Sequence, residues 1–167
     1  ETEALQKRVI RVLVAAQIIG GIGVGATVSV GALLASEVSG SPAWSGMAAT
    51  MSTLGAALIA VPLARAAMVR GRRVALAIGS FVTALGAVLA TASAALGSLP
   101  LLLVGLALAG AGSATGLQAR FAATDLAIPE HRGRQLSVVV WSTTLGAVLG
   151  PNLIEPGEAI GGVLGLP

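Results

Sequence analysis

The sequence predicts an all-α integral membrane protein, and three observations carry that prediction. Apolar residues fill 55% of 167 positions, charged residues fill only 10%, and mean hydropathy is +0.92. A soluble domain carries about a quarter charged residues. Stretches of about twenty residues pass without an ionisable group, which is the length a helix needs to cross a bilayer. The basic residues gather between those stretches rather than along them. The 23 glycines lie inside Leu, Val, Ala and Ile runs, where small residues let helices approach closely.

Five complete spans are expected. The first runs from about Val12 to Leu34, the second from about Ala43 to Ala64, and the third from about Val74 to Leu96. A fourth follows Pro100 and reaches about Leu117, and a fifth covers about Leu136 to Ile154. A sixth apolar run opens at Ala159, and the expectation is a chain that stops inside it. Residues 1–11 read as a cytoplasmic amino-terminal segment and residues 12–167 as an incomplete transmembrane bundle. The first apolar run is too long for a signal-peptide core and has further spans behind it, so a cleaved leader is not expected.

Charge sets the expected orientation, because short loops rich in Lys and Arg stay cytoplasmic. Lys7, Arg8 and Arg11 precede the first span; Arg65, Arg70, Arg72 and Arg73 lie at the second connection; Arg120, Arg132 and Arg134 lie around the fourth. The opposite loops carry Glu37, the Gly97-Ser98-Leu99-Pro100 turn, and Glu155 with Glu158. A cytoplasmic amino terminus in a multi-pass protein of the cell membrane satisfies all ten basic residues.

Several function classes drop out. Cysteine is absent, and the single His131 beside Arg132 makes no metal constellation and reads as a solvated loop residue, so neither a metal nor another cofactor is expected. The pI near 11.1 reflects a net charge of only +3 divided by long apolar segments, which argues against nucleic acid as a partner. Gly20, Gly21, Gly23 and Gly25 follow no strand and precede no Lys-Ser/Thr pair, so they are not a phosphate loop. No nucleophile, base and acid stand together, and no enzyme is expected.

Two basic connections carry motifs. The second reads Ala64-Arg65-Ala66-Ala67-Met68-Val69-Arg70-Gly71-Arg72-Arg73, with Gly71 suited to a tight turn. Near the fourth stand Asp125, Pro129-Glu130 and Arg132-Gly133-Arg134. A carboxylate at a membrane boundary is costly unless hydrated or paired, so Asp125 calls for a basic partner. In the fifth span, Gly146-Ala147-Val148-Leu149-Gly150-Pro151 joins a helix-breaking proline to two glycines four residues apart, which predicts a bend and a close helix contact. A bulky residue at Gly150 is expected to be worse tolerated than one at Gly79, which has no motif around it.

These runs resemble the major facilitator superfamily. Gly71-Arg72-Arg73 match the end of the motif between its second and third helices, and Asp125, Pro129-Glu130 and Arg132-Gly133-Arg134 match the pattern between its fourth and fifth. Gly146 to Pro151 is similar to the signature of its antiporters. Three departures stand out: Ala64 replaces the family's leading Gly, Met68 replaces its Asp, and Ile154-Glu155 replace a Gly-Gly pair. The resemblance implies the amino-terminal half of a twelve-helix carrier whose carboxy-terminal half is absent, with cargo bound between the halves. It further implies a cytoplasmic gate of Gly71, Arg72, Arg73, Asp125, Arg132 and Arg134, in which the matched motifs meet and Asp125 pairs with Arg72 as first choice or Arg73, and export of hydrophobic or amphipathic small molecules by alternating access and proton antiport.

Two other readings stay open: a metabolite facilitator or symporter, and a membrane assembly partner that transports nothing. Gln17, Gln118 and Asn152 are the candidate cargo-binding side chains, each also readable as a helix-to-helix hydrogen bond. No charged residue is expected in the middle of a complete span. A proton-coupling residue is therefore expected at the span ends, where Glu37, Glu155 and Glu158 are candidates although they read first as hydrated loop acids, or in the missing half.

Overall fold

The computed structural model describes residues 2–125, 129–153 and 156. Six α-helices and one 3-10 turn account for them. They are α1 (Thr2–Ser39), the 3-10 turn Pro42–Trp44, α2 (Ser45–Arg70), α3 (Arg72–Leu96), α4 (Leu99–Ala109), α5 (Ala111–Asp125) and α6 (Pro129–Asn152). Helix α1 starts ten residues before the expected first span, so the amino-terminal segment is helical. His131 also lies on a helix, within α6, and not in a loop.

The connections are short and chemically legible. Gly71 alone separates α2 from α3, with φ at 87° and ψ at 159°, a conformation that a side chain disfavours. Gly97 ends α3 in the left-handed region at φ 59°, donates its N–H to the Ser93 carbonyl, and hands over to α4 within two residues. Such turns leave consecutive helices antiparallel, and all basic residues described fall toward one end of the bundle, with Glu37 toward the other.

Four stretches are long and apolar enough to cross a membrane: Leu5–Ser39, Pro42–Arg70, Arg72–Leu96 and Leu99–Asp125. The fifth expected span corresponds to α6, which is not among them. Its first turns, Pro129 to Gln135, are polar, and Ser142-Thr143-Thr144 interrupt its apolar run. The expected fifth span ends at Ile154, which lies outside the described residues, as do Glu155, Glu158 and the start of a sixth span.

The fourth span departs from expectation in two ways. It continues to Asp125 instead of ending near Leu117, because the alanine-rich Gln118–Thr124 segment contains no helix breaker. It is also broken into α4 and α5 at Gly110, where the Ser113 N–H reaches the Gly110 carbonyl at 3.1 Å, a tighter turn than α-helical spacing. A Cβ at Gly110 would lie 2.0 Å from the Ser52 carbonyl oxygen of α2. The missing side chain is what lets α2 pass the break.

Glycine performs the same service elsewhere. A Cβ at Gly86 would stand 2.2 Å from the Ala109 nitrogen, and one at Gly55 would stand 1.7 Å from the Ala107 oxygen. The core is therefore built from small residues, and among the described residues Leu102, Leu106, Val139 and Ser93 are the largest side chains that are nearly inaccessible. Leu13, Ala119, Ala123 and Val139 join α1, α5 and α6 at the basic end, while Ala35, Ala48, Leu102 and Leu106 join α1, α2 and α4 at the other.

Candidate functional site

The charged cluster begins with two helix ends. Arg72 opens α3 and Asp125 closes α5. Each is the wrong charge for its own helix terminus, since a helix favours anions at its start and cations at its end. Pairing across the gap offsets both mismatches. Arg72 Nε donates to Asp125 Oδ2, Nη2 donates to Oδ1 at 3.2 Å, and Nη1 donates to the Gln118 Oε1 at 3.0 Å. The guanidinium carbon also sits 5.5 Å from the centre of the Phe121 ring, within the range of cation–π attraction.

Gln118, Phe121 and Asp125 follow a three-then-four spacing, which aligns them on one face of α5. That spacing was visible in the sequence, where Gln118 is open to two readings, a cargo contact or a helix-to-helix hydrogen bond, and Phe121 is not singled out. In the structure Gln118 is buried in the charged cluster and its side-chain carbonyl accepts a hydrogen bond from Arg72 across to α3. A cavity of about 520 Å³ opens beside the cluster, lined by Ala64, Ala67, Met68, Gly71, Arg72, Gln118, Phe121 and Asp125. Met68, where the resembling motif has an acid, supplies an apolar wall. Arg73, Arg132 and Arg134 stand exposed on the first turns of α3 and α6.

A second polar junction lies at the same end and escaped the sequence reading. Gln6 of α1 donates its amide to the Ala123 carbonyl of α5 at 3.1 Å and to the Gln135 side chain of α6. Three helices are thus tied by one buried side chain. An amide in the polar first turns of α1 gave no periodic signal to find it by.

The glycines of α6 meet α1 face to face. A Cβ at Gly146 would be 2.3 Å from the Ile18 oxygen, and one at Gly150 would be 2.6 Å from the Ile22 oxygen. From the α1 side, Gly21 and Gly25 face Thr143, Gly146 and Ala147 equally closely, whereas Gly20 and Gly23 have nothing within 4 Å. Pro151 lies one residue before the end of α6, so within the described residues it closes the helix instead of bending its middle. It has no N–H for the Ala147 carbonyl four residues earlier, and that oxygen would lie 2.7 Å from a Cβ at Gly25. Gly79 is no neutral comparison for Gly150, because a Cβ there would be 2.1 Å from Thr115 Oγ1.

Gln17 is buried beside this seam and accepts a hydrogen bond from Thr143 at 2.8 Å, linking α1 to α6. Asn152 is exposed and donates to the Val148 carbonyl of its own helix at 2.7 Å. Neither lines the open hollow of about 280 Å³ between α1, α2 and α5, which is walled by Val24, Val28, Ala49, Ser52, Thr53, Ala56 and Ser113. This hollow is apolar with a few hydroxyls. Among the described residues no three His, Cys, Asp or Glu side chains gather where a metal could bind.

The sequence profile of the Major Facilitator Superfamily matches residues 13–154. The chain belongs to that family. It is 40% identical over 163 residues to the uncharacterised MFS-type transporter YddS of Bacillus subtilis, covering 98% of this chain and 37% of that protein. Identity to YdeG of the same organism, also an uncharacterised MFS-type transporter, is 40% over 92% of this chain and 36% of the relative. The riboflavin transporter RfnT of Brucella anthropi is 31% identical over 89% of this chain and 37% of its own length. No solved structure matches. The chain spans little more than a third of these relatives, as the amino-terminal half of such a transporter would. Membership makes it a multi-pass membrane protein of a transporter family and not an enzyme.

Proposed function

We propose that this chain is the amino-terminal half of a secondary carrier that moves amphipathic small molecules across the cell membrane by alternating access. The Arg72–Asp125–Gln118 cluster carries the reading. It joins the ends of α3 and α5 by contacts that oppose both helix dipoles, so it is a bond that can be traded when the bundle tilts. The basic end lies in the cytoplasm on this reading, and Gly71, Arg73, Arg132 and Arg134 surround the gate there. Five spans cross, with α6 as the fifth. The apolar hollow between α1, α2 and α5 is half of the cargo cavity, and the carboxy-terminal half of the carrier supplies the rest.

Export by exchange with protons is the favoured mode, supported by the Gly146 to Pro151 seam against α1. Import or facilitated passage of a metabolite is the alternative, favoured by the similarity to a riboflavin transporter. Both are tested with the intact protein in liposomes, following fluorescent substrates and riboflavin under an imposed pH gradient. Gradient-driven expulsion supports antiport, while gradient-independent riboflavin equilibration sinks it in favour of a facilitator. These 167 residues hold no cysteine, so topology is direct to test once any cysteine in the rest of the intact protein is replaced by serine. Arg70→Cys and Glu37→Cys are expected to react with impermeant thiol reagents from opposite sides, and labelling from one side would end the proposed orientation.

A further inference from the structure

We propose that Arg120 is an anion-recognition residue of the cargo cavity, so that the cargo is an amphipathic anion. Its carboxylate-type head would pair with this guanidinium while its apolar body lies against Val24 and Val28. The inference rests on the carrier reading above and adds the charge class of the cargo.

The sequence placed Arg120 in a connection, but α5 continues to Asp125 and the fourth apolar span includes it. At 1.5 Å per residue, Arg120 stands about 7 Å inside the helix end. Its Nε is buried and makes no hydrogen bond, and among the described residues it is the one cation with such a nitrogen. Asp125, the acid nearest along the helix, is already held by Arg72 at both oxygens. A buried guanidinium N–H without an acceptor is costly, and more so in a membrane-spanning helix. An acceptor is therefore expected in the working protein.

Helical geometry indicates where that acceptor comes from. Seven residues complete nearly two turns, so Arg120 shares a face of α5 with Ser113, which lines the hollow with Val24 and Val28. Gly116, between them, faces the Gln17 side chain at 3.5 Å from where its Cβ would be. The opposite side of the helix, carrying Gln118 and Asp125, is committed to Arg72. Arg120 thus belongs to the cavity face, about 10 Å along the helix from Ser113. That separation suits a molecule with an apolar body and a charged head. A planar guanidinium binds carboxylates through two parallel hydrogen bonds, which an apolar hollow with hydroxyls cannot provide.

The test uses the intact carrier in uncharged phosphatidylcholine nanodiscs and two matched probes, 2-naphthylacetate and its neutral amide, with binding measured by equilibrium dialysis. The wild type is expected to prefer the acid by roughly 10- to 100-fold, the range for a hydrogen bond to a charged group. Arg120→Gln should erase that preference and leave amide binding unchanged. Arg120→Lys should keep part of it, and Arg65→Gln, at an exposed arginine, should keep all of it. The proposal is overturned if the wild type shows no preference for the acid, or if Arg120→Gln retains that preference. It is also overturned if Arg120→Gln or Arg120→Lys weakens both probes equally, because Arg120 would then support the bundle and not the ligand. None of these results alters the side-specific labelling or transport that tests the carrier reading.

Discussion

The polar junctions at the basic end and the glycine seam between α1 and α6 are held by different physics. At the basic end, Arg72, Gln118 and Asp125 join α3 to α5, and Gln6 and Gln135 join α1 to α6, all through side chains. Along the α1–α6 seam, Gly21 and Gly25 meet Gly146 and Gly150 with backbone against backbone. Side-chain bonds can break and re-form with rotamer changes, but a glycine seam has no slack to give. On the carrier reading proposed above, the difference predicts that α1 and α6 move as one block and that the α3–α5 junction is where the bundle gives.

The largest effect on stability should follow from disturbing the seam. Gly146→Val places a Cβ against the Ile18 carbonyl and should cost about 1–3 kcal/mol, the usual range for overpacking, measured by thermal unfolding in detergent. Gly20→Val and Gly23→Val, on the open side of α1, are the matched comparison and should stay near the wild type. Equal melting temperatures for Gly146→Val and Gly23→Val would remove the rigid-block interpretation.

The charged cluster should behave the other way round. Arg72 and Asp125 side chains are 34% and 45% exposed, so Asp125→Asn should cost only about 0–1 kcal/mol of stability. Transport by the intact protein should nevertheless fall sharply, and Arg72→Lys should fall too, because lysine has neither the two-pronged geometry nor the stacking surface for Phe121. Wild-type transport rates in Asp125→Asn would leave the cluster a surface ion pair.

A smaller effect is expected where the two regimes meet. The Gln17–Thr143 bond crosses the seam, and a double-mutant cycle with Gln17→Leu and Thr143→Val should give a coupling of about 0.6 kcal/mol, typical of hydrogen bonds between membrane helices. A coupling near zero would make the seam purely steric. Smallest of all is Asn152→Ala, which removes an exposed bond within α6 and should change stability by less than about 0.5 kcal/mol. A selective loss of cargo binding in this variant would restore Asn152 as a cargo contact.

Much of this was legible from local chemistry. Hydropathy marked five complete spans, and four of them are helices long and apolar enough to cross, because a bilayer-crossing helix needs a long run without charge. The turn at Gly71 was readable because its conformation excludes side chains. Family motifs directed attention to Arg72 and Asp125, although 53 residues separate them. What remained hidden was the partner of each amide side chain. Gln17, Gln118 and Asn152 are chemically alike, yet one crosses a seam, one supports an arginine and one bonds its own helix.

The sequence by itself determined the membrane-spanning helical class, the segregation of basic residues and the turn glycines, since each depends on the nature of residues close together in the chain. Only the tertiary structure decided which glycines are crowded, because Gly21 and Gly23 differ merely in the side of α1 they occupy. It also decided that the fourth span runs on past Leu117 and carries Arg120 inside it. There the packing of Ala119 and Ala123 on α1 and α6 stabilises a helical end that a hydropathy profile, blind to neighbouring helices, had cut short.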